Sequence, residues 1–307
     1  MKIIVSSPFM YLLRVIQFIQ ITLKNILMDT ILVPTDFSEN AKGGIRFAIN
    51  IAAYTDTRLL FIYVAPIVYK TDPNMSYEHF GINKDEQSLS LKNFVEACYQ
   101  EMGVKPKSYD CTVISGLRAD LALLRFCTKS TDITHISIST RGASGLSRRL
   151  GTNTGNLVTK SCIPVFVVPT NYRPTPLKSV LYASDLQDYK REIQEVLTFV
   201  EPFKANLDVL HLTSTPEDIS TAPYTKSTAY PVDFHITKKD ILQPFITQLL
   251  KEVERLKPSV LVLFTRQNRS FLEKLFPSIL AEELAFHPKV PMLIFSKIKE
   301  TAGEPIS

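Results

Sequence analysis

Residues 30–54 read "TILVPTDFSENAKGGIRFAINIAAY", a short apolar run that is followed by a longer amphipathic one. The first run ends at Asp36 and predicts a buried β-strand. Beyond it, four apolar residues recur at the spacing of one helix face: Ile45, Ala48, Ile49 and Ala52. Ser38 precedes this face and is a natural helix N-cap. The stretch therefore predicts a strand–loop–helix unit, the first step of an α/β domain.

The same alternation of strands and helices continues to residue 169. Apolar runs predict strands at 58–66, 108–116, 133–139 and 164–169, and helical patterns fall at about 85–102, 118–130 and 153–161. Strands that are apolar at nearly every position are typical of a parallel sheet covered on both faces. The pattern indicates a doubly wound domain with right-handed crossovers.

The second half of the chain repeats this plan with losses. "KSVLYASDL" (178–186) matches "DTILVPTDF" (29–37) and sets Asp185 where Asp36 stands. Further strands are predicted at 205–213, 230–236, 258–266 and 290–296, with a helix over 240–257 that has Pro244 near its first turn. Residues 213–228 are rich in Ser, Thr and Pro without an apolar period, so this half is expected to lack one helix. The two domains are predicted at 28–170 and 179–298, with a linker at 171–178 and a tail at 299–307.

Composition and residue spacing argue against several classes of function. The chain of 307 residues has a net charge of +5 and no long basic run, so nucleic acid is not an expected partner. The four cysteines form no CxxC pair, which favours reduced thiols in an intracellular protein. The histidines are scattered, and neither a zinc site nor a catalytic triad can be built from their spacing.

Residues 1–27 are apolar but are interrupted by Arg14, Gln17, Gln20 and Lys24. This spacing predicts neither a membrane span nor a cleaved signal peptide, and no membrane association is expected of the domains. Two interpretations stay open. The segment is an upstream extension from a misassigned start codon, or it is a short helix at a membrane surface.

Three stretches together resemble the universal stress protein family in its tandem two-domain form: "ILVPTDFSENAKGGIRFAINIA", "LLFIYVAP" and "GASGLSRRLGTNTGNLVTKSCIPVFVVP". The resemblance implies two Rossmann-like domains of the adenine nucleotide α-hydrolase type, each with a parallel five-stranded sheet. It also implies a cytoplasmic bacterial protein that acts in stress response. Open parallel sheets bind ligands at the carboxyl ends of their strands, and many members of this family bind ATP there.

The family motif carries over to this chain only in part. The resemblance implies that Asp36 contacts the adenine side of the ligand and that Val64 lines the pocket of the base. It also implies that Gly142 and the pair Gly151-Thr152 meet the ribose and phosphates. Ser139 stands where the first motif glycine is expected, and the span from Gly142 to Gly151 is one residue short. A serine restricts close approach of a phosphate, although its hydroxyl could donate to an oxyanion. Asp36 has a second interpretation, in which it only bonds the loop that follows.

The corresponding loop of the second half contains no glycine, and Pro277 offers no N–H to a phosphate. This half is therefore predicted to be a non-binding partner domain. The apolar strands 164–168 and 291–295 are expected to pair with each other and form an internal pseudo-dimer, and a homo-oligomer or a protein partner is conceivable beyond it. The sequence predicts binding and interaction without catalytic turnover. The alternative is a switch that binds ATP with Mg²⁺, and a slow ATPase is not expected because no catalytic constellation is recognisable.

Overall fold

The computed structural model describes residues 29–67, 83–140, 152–225, 228–265 and 290–297. In the first half, strands and helices alternate along the chain. They are β1 (Thr30–Thr35), α1 (Lys42–Tyr54), β2 (Arg58–Pro66), α2 (Lys84–Met102), β3 (Tyr109–Gly116), α3 (Ala119–Lys129), β4 (Ile133–Ser139), α4 (Thr152–Lys160) and β5 (Val165–Val168).

The second half follows the same order with shorter connections. Its elements are β6 (Ser179–Ala183), α5 (Tyr189–Val200), β7 (Asn206–Thr213), α6 (Ala222–Thr225), β8 (Val232–Lys238), α7 (Phe245–Leu256), β9 (Val260–Thr265) and β10 (Met292–Ser296). The described residues between β7 and β8 form a 3₁₀ turn and the four-residue α6, where the first half has the 19-residue α2. This is the reduction that the composition of residues 213–228 predicts.

The ten strands of the described residues form one sheet in the order β3-β2-β1-β4-β5-β10-β9-β6-β7-β8. The five strands of each half are parallel to one another, and β5 pairs antiparallel with β10, with Leu293 opposite Phe166. The predicted fold class, an α/β fold with two parallel five-stranded halves, is confirmed. In each half the order reverses beside the first strand, where doubly wound sheets place their ligands.

The core runs without a break across the junction of the two halves. Phe166 of β5 contacts Phe47 of α1, with ring centroids 5.1 Å apart, and Phe199 of α5 at 5.5 Å. All three rings are at most 8% exposed. Because aromatic rings bury large apolar areas, this contact ties the first helix of each half to the shared sheet.

Two helix starts differ in detail from the sequence prediction. Ser38 caps a 3₁₀ turn, Glu39–Ala41, and α1 begins only at Lys42. In the second half, α7 begins at Phe245, so the prediction of a helix from residue 240 is wrong. Pro244 is the N-cap residue with extended backbone (ψ 142°), and because a proline disfavours helical geometry in the residue before it, the helix does not extend back through Gln243.

Candidate functional site

A cleft lies at the carboxyl ends of β1, β2 and β4, with a cavity volume of about 180 Å³. Asp36, Val64 and Ser139 all line it, although they are far apart in sequence. Thr152 is the first residue of α4, whose Leu157 also faces the cleft. Gly142 and Gly151 lie outside the described residues.

Asp36 belongs to a tight loop between β1 and α1. Its Oδ1 accepts hydrogen bonds from the backbone N and the Oγ of Ser38, at 3.1 Å and 2.5 Å. The next residue, Phe37, has a φ of 62°, a conformation that costs energy in a bulky residue. Its ring is held against Tyr63, with centroids 4.5 Å apart. The loop therefore presents an exposed carboxylate at the cleft in a fixed position.

Ser139 uses its hydroxyl within the protein. The Oγ donates to the carbonyl of Ala41 at 3.0 Å and accepts from the backbone N of Gly44 at 2.6 Å. The N–H of Gly44 is one of the first-turn groups of α1 that have no partner inside the helix. Ser139 therefore caps α1 from the neighbouring strand. This role is not visible in the sequence, because the partners of Ser139 lie 95 and 98 residues away in the chain.

Gly44 permits this contact. A Cβ at this position would lie 2.9 Å from the carbonyl carbon of Ile138 and 3.0 Å from the N of Ser139. Real Cβ atoms essentially never approach so closely, so the absence of a side chain lets α1 rest directly on the end of β4.

Asp120 connects the two helices that flank the cleft. It is 1% exposed at the start of α3, and its Oδ2 accepts from Arg118 at 2.6 Å and from Asn156 of α4 at 2.8 Å. Burial opposes ionisation, but the bonds from Arg118 and Asn156 outweigh it, so the pKa of Asp120 lies below its usual value. The sequence analysis did not single out this residue. A carboxylate inside an otherwise apolar helix start is the signal that could have found it.

In the second half, the loop between β6 and α5 has almost the same geometry as the loop between β1 and α1. Leu186 has a φ of 62°, like Phe37, and the backbone N of Gln187 donates to Asp185 Oδ1 at 3.0 Å. Both loops therefore aim a carboxylate at the carboxyl end of their first strand.

What surrounds this second carboxylate is different. Lys297, which follows β10, places its Nζ 3.0 Å from Asp185 Oδ2 and 2.9 Å from Glu192 Oε1. Glu192 is 1% exposed, and its other oxygen accepts from the hydroxyl of Tyr182. Burial lowers the pKa of Lys297, but its pairing with Glu192 and Asp185 more than compensates, so that the pKa lies above its usual value.

The first turns of the two helices differ. α1 carries Gly44 close to its start, whereas the first turn of α5 carries the buried Glu192, whose charge Lys297 neutralises. The glycine-free loop that precedes β10, with Pro277, lies outside the described residues.

Neither the cysteines nor the acidic residues form a metal-binding group within the described ranges. Cys98, Cys111, Cys127 and Cys162 are free, and burial raises the pKa of the first three to about 11. Thiols with such values stay protonated at neutral pH. In the same part of the chain, no helix combines the length and the apolar character that crossing a bilayer requires.

The comparisons agree with the geometry of the sheet and the loop. A model of the universal stress protein family matches residues 28–169. A universal stress protein from Archaeoglobus fulgidus DSM 4304 has a similar structure, with a TM-score of 0.65, 15% identity, and 87% of this chain and 98% of that chain covered. A putative universal stress protein from Pseudomonas aeruginosa UCBPP-PA14 has a TM-score of 0.54 and 13% identity, with 88% and 93% covered.

At these identities the likeness concerns the fold, and it extends over both halves of the chain. No curated protein sequence matches the chain significantly. The first half carries the family's sequence pattern, and both halves carry its architecture. Residues 28–169 therefore match the universal stress protein family, and the fold of the chain is similar to that of universal stress proteins over both halves.

Proposed function

We propose that this protein acts in the cytoplasmic stress response as a binding protein without catalytic turnover. The match of residues 28–169 to the universal stress protein family supports the role in stress response. The observation that carries the binding role is the contrast between the halves. In the first half, the exposed carboxylate of Asp36 borders a cleft, whereas in the second half Lys297 neutralises the carboxylate of Asp185. Only the first half then takes a ligand, and the second half serves as its fixed partner.

The second candidate function is a switch in which an adenine nucleotide, ATP with Mg²⁺, occupies this cleft. Asp36 and Val64 favour it, because a carboxylate can accept from the adenine amino group while the half-buried valine packs on the base. The cavity of about 180 Å³ is small for a whole nucleotide, so these residues fit the base end. Gly142, Gly151 and Thr152 would hold the phosphates, with the helix N-terminus favouring the anion.

Ser139 bears on the strength of phosphate binding. Its hydroxyl hydrogen points to the carbonyl of Ala41, so donation to an oxyanion would require that bond to break. We therefore propose that the affinity for nucleotide is modest.

Calorimetric titration of the full chain with ATP and Mg²⁺ tests both candidates. The variants Asp36→Asn and Asp185→Asn form a matched pair, because each changes the same carboxylate in one half. We expect one nucleotide per chain, binding that is weakened by Asp36→Asn, and unchanged binding in Asp185→Asn. Equal loss in both variants, or no saturable binding by the wild type, contradicts the switch.

The absence of turnover is tested by release of phosphate from ATP over a prolonged incubation. A rate that exceeds the protein-free control and disappears in Asp36→Asn would contradict a purely binding role.

A further inference from the structure

A second concave surface lies outside the cleft, between the carboxyl end of β3 and helix α3, at one edge of the sheet. Its cavity volume is about 480 Å³, within the range of small-molecule sites. Three large apolar side chains line it while remaining open to solvent: Ile67 at 40%, Leu117 at 66% and Leu121 at 44% exposed. Exposed apolar residues are common singly, but a cluster that borders one groove is typical of a binding surface.

The groove changes character along its length. Leu121, Arg125 and Lys129 follow one another at four-residue intervals and therefore lie on one face of α3. At 1.5 Å per residue, Leu121 and Lys129 are about 12 Å apart along the helix axis. One end of the groove is apolar, and the other end carries two cations.

The charge at the cationic end is uncompensated within the described part of the chain. Arg125 and Lys129 form no ion pair there, whereas Arg118 is bound to the buried Asp120. The lining residues of the groove include no acidic side chain. A ligand with an apolar body and one anionic end is the complement of this arrangement.

The floor of the groove is formed where α3 packs closely on the end of β3. Gly116 ends β3 without a side chain, and a Cβ there would lie 2.7 Å from the Cβ of Ala122, so the glycine permits this close packing. The half-buried Ile114 and Phe126 complete an apolar base beneath the exposed rim.

We propose that this groove binds a single-chain amphiphilic anion, a free fatty acid, with its carboxylate at Arg125 and Lys129 and its chain over Leu121, Leu117 and Ile67. The volume suits one acyl chain rather than a two-chain lipid. The site is separate from the nucleotide cleft and stands independently of the proposed function.

Calorimetric titration of the full chain with dodecanoate, kept below its micelle-forming concentration, tests the proposal. We expect one saturable site per chain. Leu121→Asp should weaken binding by at least about ten-fold, because it removes apolar contact and adds a negative charge, and Arg125→Glu should act in the same direction. Leu89→Asp on α2 and Arg191→Glu on α5 are matched controls, since both residues are exposed on helices outside the groove. Circular dichroism verifies that each variant is folded.

Several outcomes would overturn the inference. They are the absence of saturable binding, equal weakening by the groove and control variants, and binding to anionic phospholipid vesicles without binding of free dodecanoate. A groove that is instead covered by a second copy would appear as a dimer in sedimentation that Leu121→Asp dissociates, again without dodecanoate binding.

Discussion

Replacing Lys297 by methionine tests the interpretation of the second half most directly. The lysine side chain is 8% exposed and faces the carboxylate of Glu192, which is 1% exposed, at 2.9 Å. Removal of one partner from a buried ion pair costs about 3–5 kcal/mol, because the other charge stays buried without compensation. Asp185 is 46% exposed and can be hydrated after the change, so the loss arises at Glu192 and we expect about 3 kcal/mol.

Thermal unfolding followed by far-ultraviolet circular dichroism measures this loss. At about 2–4 °C per kcal/mol, the melting temperature of Lys297→Met should fall by about 6 °C or more. The double variant with Glu192→Gln should recover at least half of the loss, because the buried charge is gone while Tyr182 keeps an acceptor. Lys190→Met, an exposed lysine on α5, is the matched control. A fall of less than about 2 °C, or a double variant as unstable as the single one, would refute the reasoning.

Three further predictions follow from the contacts around the first cleft and the central junction. Ser139→Ala should lower the free energy of unfolding by about 1–2 kcal/mol, because it leaves the N–H of Gly44 without its partner. Urea denaturation measures this loss, and an unchanged stability would show that water replaces the hydroxyl. The pKa of Asp120 is lowered in the folded state, so its ionised form stabilises the fold above the reference pKa of 3.8, and this contribution is lost as the pH falls through the lower, folded-state pKa. The melting temperature of the wild type should therefore exceed that of Asp120→Asn by a margin that narrows below pH 3.8. A margin that stays constant with pH would contradict this prediction. Val167→Lys and Leu293→Lys should each reduce solubility or melting temperature, because both side chains are fully buried where β5 meets β10, and two silent variants would contradict the importance of this pairing.

Much of the fold could be predicted from local patterns. The run from Thr30 is buried on both faces as β1, as expected of a parallel strand that is apolar at almost every position, and "ITHISIS" forms β4 with the predicted limits. The start of α7 could not be predicted equally well. The apolar period of that helix extends back to Ile241, and only the proline geometry at residue 244 ends it, which leaves Ile241 and Leu242 at 87% and 93% exposed.

The candidate site was predictable where a residue's role follows from its place at the end of a strand. Asp36 and Val64 meet at the cleft because the carboxyl ends of parallel strands share one edge of the sheet. The capping role of Ser139 and the ion pairs of Lys297 escaped prediction because their partners are set by tertiary packing. Ser139 meets the start of α1 across the sheet, and Lys297 reaches back 112 residues to Asp185.

The two halves share the loop after their first strand and differ in what lies around it. Both retain the costly loop with positive φ at Phe37 or Leu186, so the loop geometry alone does not distinguish the two strand ends. They differ in the first turn of the helix that follows, where α1 has Gly44 packed on the end of β4 and α5 has the buried Glu192. A glutamate there cannot stay buried alone, and the lysine that compensates it lies directly after β10, the strand that joins the halves. The same ion pair that neutralises Asp185 and Glu192 thereby anchors the end of β10, the strand that joins the second half to the first.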